Sequence, residues 1–120
     1  MNCSRNDDGP LTTLCVRGEL DAVTVAEFRP ILDKLIDDER RQVNVDLSEL
    51  RLVDSSGVGA LVSLYKRVRA SGGSVEFAGV KAQPLVIFKL LRLDVVFELS
   101  SNMPVPEIQD IPASIRVLRT

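Results

Sequence analysis

Two hydrophobic periods alternate along the first hundred residues, and this alternation restricts the fold more than any other feature of the chain. Val43-Asn44-Val45-Asp46-Leu47 repeats at every second residue, as a strand with one buried face does. The Asp46 side chain is therefore expected on the face opposite Val45 and Leu47. Beyond residues 48–53 and the turn Asp54-Ser55-Ser56-Gly57, the residues Val58, Leu61, Val62, Tyr65 and Val68 fall on one stripe of a helix that ends at Ser71-Gly72-Gly73. Residues 11–16 and 74–78 read as further strands, the first leaving into a loop around Gly18-Glu19-Leu20-Asp21. Strands that alternate with helices are joined by crossovers onto one sheet, so the expected class is α/β.

The first helix carries Phe28, Leu32, Leu35 and Ile36 at helical spacing, with Thr24 and Glu27 set three apart as a capping box. Pro30 lies too deep for a first-turn proline and removes a backbone donor, which predicts a kink or a helix that begins near Pro30. A third helix is expected over 84–91, with Pro84 at its first position, and a last short strand over 95–99. Leu85, Val86, Ile87 and Phe88 are more apolar than one helix face requires; core packing is the expected reading, a partner or dimer surface the alternative. The polar residues 1–9 are expected to be loose. Residues 101–120 form a tail interrupted by Pro104, Pro106 and Pro112, within which Ile115-Arg116-Val117-Leu118 suits a strand or a helical turn.

Composition narrows the chemistry. A chain of 120 residues with 45% apolar and 27% charged residues is sized for one domain with a real core. It contains no histidine, which removes the usual general base of serine and cysteine hydrolases and the commonest transition-metal ligand. A net charge of −2 argues against nucleic acid, and the basic spots at Arg40-Arg41 and at Lys66, Arg67 and Arg69 read as solvated helix faces and ends. No apolar run approaches the ~20 residues that span a bilayer, and residues 1–10 lack the apolar centre of a secretory signal, so the expected compartment is the cytoplasm. Cys3 and Cys15 are too few and too far apart for a zinc site or a redox pair and are expected as reduced thiols. No phosphate-binding glycine loop is present, and Gly57-Val58-Gly59 lacks the third glycine of a dinucleotide fingerprint, so no cofactor is expected.

Asp54, Ser55 and Ser56 stand immediately before a helix whose first backbone N–H groups need acceptors. Capping accounts for one of the three. The positive end of the helix also tolerates an anion such as phosphoserine, and Gly57 and Gly59 keep the surface low enough for another protein to approach. On these grounds caps with a tight turn, and a modified or partner-binding serine, both stand.

The segment Leu52-Val53-Asp54-Ser55-Ser56-Gly57-Val58-Gly59-Ala60-Leu61, with Gly18-Glu19-Leu20-Asp21 upstream and residues 84–88 downstream, resembles the STAS domain, and more closely the stand-alone anti-sigma factor antagonists of bacteria. The similarity runs over about nine tenths of the chain. It implies a STAS fold over residues 1–100, with one mixed sheet of about four to five strands and about three to four helices. It also implies a protein that, unphosphorylated, binds an anti-sigma factor with GHKL-type serine kinase activity and frees a sigma factor, with a serine phosphatase to reverse phosphorylation. The phosphorylated residue directly follows the motif aspartate, which maps the aspartate onto Asp54 and the phosphorylation site onto Ser55; Ser56 is then assigned to the helix cap. The interface of such proteins maps onto the loop with Gly18, Glu19 and Asp21, onto Gly57 and Gly59, and onto the exposed helix face carrying Ser63, Lys66 and Arg67. A homodimer is left open.

Two departures stand out. Members usually carry a glycine near the end of the third helix, where this chain has Leu91-Arg92-Leu93, and the proline-bearing tail does not look like the usual C-terminal helix. The alternative function is a STAS-type accessory or scaffold subunit of a transporter or signalling complex. A third reading, an enzyme using Ser55 or Ser56, lacks a base at any obvious spacing.

Overall fold

The structure is a computed structural model and describes residues 1–93. Five strands and three helices follow in the order β1 (Asn2–Asp8), β2 (Leu11–Leu20), α1 (Val25–Asp37), β3 (Gln42–Asp46), β4 (Leu50–Val53), α2 (Ser55–Ala70), β5 (Ser74–Ala78) and α3 (Ala82–Leu90). The sheet is mixed, in the order β1-β2-β3-β5, with β4 paired to the far end of β2. β1 runs antiparallel to β2, and the other pairings are parallel. The expected α/β architecture is present, and the strands at 74–78 and around 43–47 fall where their period places them.

Alternation dictates the layers. Leu14, Val16, Val43, Val45, Val75 and Phe77 point to one face and are buried under the helices, while Thr13, Cys15, Asn44 and Asp46 face the other side half-buried. Asp46 accepts the Ser48 backbone N–H (2.9 Å) from that second face, opposite Val45 and Leu47 as expected. Helix α1 lays Phe28, Leu32 and Leu35 into the core, and α2 lays Val58, Leu61, Leu64 and Val68. Each such side chain contributes about 1.5–3 kcal/mol by leaving water. Leu64 belongs to the α2 stripe, whereas Val62 and Tyr65 pack at its margin. In α3, Leu85, Val86 and Phe88 are buried and Ile87 is half-buried, with Phe88 edge-on to Phe77 at 6.3 Å. The apolar run of α3 is thus mostly core.

Several local expectations are corrected. Residues 1–9 are not loose: β1 pairs with β2 over seven residues, Met1 and Cys3 pack against the core, and Arg5 bonds Asp7 and Asp38. Backbone pairing and ion pairs hold a strand whose side chains are too polar to announce it. The capping box at Thr24 is not made; the Thr24 hydroxyl turns back to accept the Asp21 N–H (3.0 Å) and to donate to the Glu19 carbonyl (2.9 Å). Asp21 caps this turn instead, accepting the N–H groups of Val23 and Thr24 (3.0 and 2.9 Å), so α1 begins at Val25, well before Pro30. Helix α3 begins at Ala82, which puts Pro84 at its third position rather than its first, still within the turn where an N–H lacks an intrahelical partner. Where a glycine was missed, Arg92 itself takes the left-handed conformation (φ 58°) and its N–H reaches the Lys89 carbonyl (3.2 Å). The strand expected over 95–99 and the tail over 101–120 lie outside the described residues.

Candidate functional site

Strand β4 ends at Val53 and α2 begins at Ser55, so Asp54 is the single residue on which the chain changes from sheet to helix. Its backbone is extended and its carboxylate is the helix cap, with Oδ1 accepting the Gly57 N–H at 3.0 Å. Ser56, expected as the cap, is instead the second residue of α2 and half-buried. The geometric reason is position: a cap must precede the first helical residue, and only Asp54 does. The other carboxylate oxygen, Oδ2, accepts the Ala22 N–H at 3.1 Å. Asp54 therefore ties the start of α2 to the β2–α1 loop, and its own N–H donates to the Leu20 carbonyl (3.2 Å).

Ser55 is the first residue of α2 and is exposed. With Asp54 making the cap, the Ser55 hydroxyl is not needed to hold the turn. Gly57 is buried, and a Cβ there would drive into the Leu20 carbonyl oxygen and approach Val53 Cγ2 at 2.7 Å. Glycine is thus required for α2 to reach the sheet. Gly59 differs: it is exposed, and a Cβ would meet nothing within 4 Å. On the opposite side, the Gln83 carboxamide bonds the Val53 N–H (2.9 Å) and carbonyl (3.0 Å), as a neighbouring strand would. Sequence reading missed Gln83, since nothing local links it to a strand 30 residues earlier.

The loop expected beside the motif is in place. Gly18 sits at φ 86° where β2 shifts register against β4, a left-handed conformation that glycine accepts without cost. Glu19 is exposed, and Asp21 is half-buried in its turn. Hydrogen bonds from the Thr24 backbone first, then from the Thr24 side chain and the Val23 backbone, hold the Asp21 carboxyl below the usual carboxylate range. The helix-face residues separate. Lys66 is exposed and Ser63 half-buried, but Arg67 reaches across to Asp33 of α1 at 2.7 Å. Arg67 is thus a tether between helices rather than part of a free face.

Two clefts flank Val53 and Asp54. One, of about 250 Å3, is lined by Glu19, Leu20, Asp21, Leu52 and Gln83; the other, of about 190 Å3, lies beside Ser55 and is lined by Val58, Ile87, Leu90 and Leu91. Cys3 is far from chemistry of this kind: burial, with Cys15 nearby, pushes its thiol up to about 11, and strand register turns the two cysteines to opposite faces. Among the described residues no group of three His, Cys, Asp or Glu could hold a metal ion, and no helix is long and apolar enough to cross a membrane.

Residues 3–100 match the family model described as Mlab, STAS domain. The chain belongs to the STAS domain family. Within it, the similarity is to anti-sigma factor antagonists. The STAS chain is 30% identical over 78 residues to the anti-sigma-B factor antagonist of Staphylococcus aureus, covering 65% of this chain and 72% of that one. It is 26% identical over 86 residues to the protein of the same name from Listeria monocytogenes, covering 72% and 75%. Among solved structures, an anti-sigma factor antagonist from Mycobacterium paratuberculosis superposes with a TM-score of 0.72 at 22% identity, covering 96% of this chain and 93% of that one. The Bacillus cell fate determinant SpoIIAA in its phosphorylated form superposes at 0.68 and 17% identity, covering 98% and 100%. At such identities the structures establish the STAS fold alone.

Proposed function

We propose that this STAS domain, when unphosphorylated, binds an anti-sigma factor that is also a GHKL-type serine kinase, and so frees a sigma factor in the cytoplasm. Phosphorylation of Ser55 by that kinase ends the binding, and a serine phosphatase restores it. On this reading the protein acts by binding rather than by catalysis, and the chain contains no histidine, the usual general base for a serine nucleophile. The observation that carries the reading is the division of labour at the turn. Asp54 caps α2 with both carboxylate oxygens engaged, which leaves the adjoining Ser55 exposed and free to be modified without loss of the fold.

The physics of release follows. A phosphate adds roughly −1.5 to −2 charges, beside the Asp54 carboxylate and at the rim of an apolar cleft. The N-terminus of α2 favours that charge by only about 0.3–1 kcal/mol, enough to tolerate phosphoserine in the free protein. In a complex the same charge must shed its water within a surface fitted to a hydroxyl, and such losses run to several kcal/mol, with tenfold in affinity for each ~1.4 kcal/mol.

Titration calorimetry with the GHKL-type anti-sigma factors of the source organism tests this. Unmodified protein should bind one of them, and Ser55→Asp should weaken that binding at least tenfold. Equal binding by the two proteins contradicts the switch. A complex formed only with a transporter ATPase or a multi-copy assembly would replace this reading with the scaffold one.

A further inference from the structure

On one side the sheet ends at β1, which pairs with β2 and with no other strand among the described residues. The hairpin that joins the two turns at Gly9 and Pro10, between the paired residues Asp8 and Leu11. A two-residue turn closes on a pair that exchanges its backbone hydrogen bonds, and such pairs alternate along an antiparallel ladder. Asp8, Asn6 and Ser4 therefore spend their backbone groups on β2, while Cys3, Arg5 and Asp7 turn theirs outward. An edge of this kind is a template for another strand unless its side chains forbid the pairing.

Charge is the usual obstacle, and β1 carries charge in a pattern that suits one partner. Arg5 and Asp7 lie on the helix side of the sheet, joined by two bonds of 3.0 Å, while Ser4, Asn6 and Asp8 are exposed on the open side. Let a second β1 pair antiparallel about a two-fold axis through Asn6. Arg5 then faces the second copy's Asp7, Ser4 faces its Asp8, and Asn6 faces its Asn6. The outward backbone groups of Arg5 and Asp7 meet in hydrogen-bonded pairs. Opposite charges alternate around the four side chains, a hydroxyl meets a carboxylate, and two carboxamides match donor to acceptor. Moving the axis to Arg5 sets that cation against itself, and moving it to Ser4 leaves Asp7 facing Met1 and Arg5 facing Cys3; neither matches the charges.

We propose that the open edge of β1 joins two copies of this chain into an antiparallel dimer centred on Asn6, with one sheet continuous across both. The proposal is independent of the proposed function. Because the two-fold axis reverses the strands, the turns that carry Ser55 lie at opposite ends of the joined sheet, and the contact covers neither. Pairing over residues 4–8 is small beside the roughly 1,600 Å2 of a standard interface, so the dimer is weak, with a Kd of about 10–500 μM.

The test is sedimentation equilibrium of the full chain up to about 1 mM, a concentration above that Kd. Asn6→Lys and Asn6→Glu are run alone and as an equal mixture, each variant checked for unchanged thermal unfolding. The unmodified protein should dimerise, each variant alone should weaken the dimer about tenfold or more by setting like charges face to face, and the mixture should recover to within about threefold. Only the axis through Asn6 places residue 6 on itself, so this recovery is specific to the proposed pairing. A monomer at every concentration, a dimer that both variants leave intact, or a mixture that stays monomeric would each overturn the proposal. If either variant unfolds early, amide exchange of the unmodified protein decides. The Arg5 and Asp7 amides should exchange at least about threefold more slowly at 1 mM than at about 0.02 mM, and rates independent of concentration overturn it.

Discussion

The two ends of the sheet are built on opposite terms. At the end where β1 meets the last turn of α1, polar groups consume one another: Arg5 bonds Asp7 and Asp38, Lys34 bonds Asp38, and Arg40 bonds the fully buried Thr12 (2.6 Å) and the Gly9 carbonyl. At the other end, Asp54 and Gln83 satisfy the backbone, and the surface then presents a hydroxyl, a carboxylate and three apolar side chains to solvent. One end is closed chemistry that fastens an edge strand; the other is a rigid frame around groups left available. On the proposed function, stability and recognition are thereby assigned to opposite ends of the sheet.

Substitutions can break this contrast, and the largest effect is expected at Gly57. Gly57→Ala forces a methyl into the Leu20 carbonyl and Val53, which should cost about 2–3 kcal/mol in urea unfolding. Gly59→Ala, two residues on, meets open space and should stabilise by about 0.5–1 kcal/mol, as alanine does within a helix. A similar loss at both positions would mean that α2 does not approach the sheet as closely as described.

At the closed end, Thr12→Val leaves Arg40 and Asp7 without their buried hydroxyl partner and should cost about 1–2 kcal/mol. Asp54→Ala should cost about 1 kcal/mol through the lost cap. Beyond that loss, it should broaden the amide signal of Ala22, whereas Thr12→Val should leave that signal sharp. Equal effects of the two changes on Ala22 would remove the distinction between the ends.

Acid sharpens the comparison further. Hydrogen bonds from Arg5 hold Asp7 below the usual carboxylate range, bonds from Lys34 and then Arg5 do the same for Asp38, and backbone N–H donors act on Asp21. Each folded pKa lies below the unfolded value of about 3.9, so the stability it contributes is present above that value and is lost as pH falls through the lower folded one. Carboxyl NMR titrations should show the depression at Asp7 and Asp38 shrinking in 1 M salt, since ion pairs are screened, while that at Asp21 persists. The smallest effect is expected at Arg92→Gly, which relieves a left-handed residue and should raise stability by up to about 1 kcal/mol in thermal unfolding.

Much of this contrast could be read from the sequence at one end and little at the other. The strand at 42–46, the α2 stripe and the Asp54-Ser55-Ser56-Gly57 turn announce themselves because period and turn chemistry are local. β1 was hidden by polar side chains, and β4 by a four-residue length that allows no alternation. The brace from Gln83 to Val53, the bond from Arg40 to Thr12 and the pair of Arg67 with Asp33 join residues about thirty apart, and no spacing rule predicts them. The cap was misplaced by one choice among three adjacent side chains, all chemically able to make it.

Intact-mass analysis addresses the central claim most directly. Unmodified protein, Ser55→Ala and Ser56→Ala are each incubated with ATP and the GHKL-type anti-sigma kinases of the source organism. The account predicts one added phosphate on the unmodified protein and on Ser56→Ala, and none on Ser55→Ala. A phosphate that persists in Ser55→Ala, or none on the unmodified protein with any kinase, would contradict it.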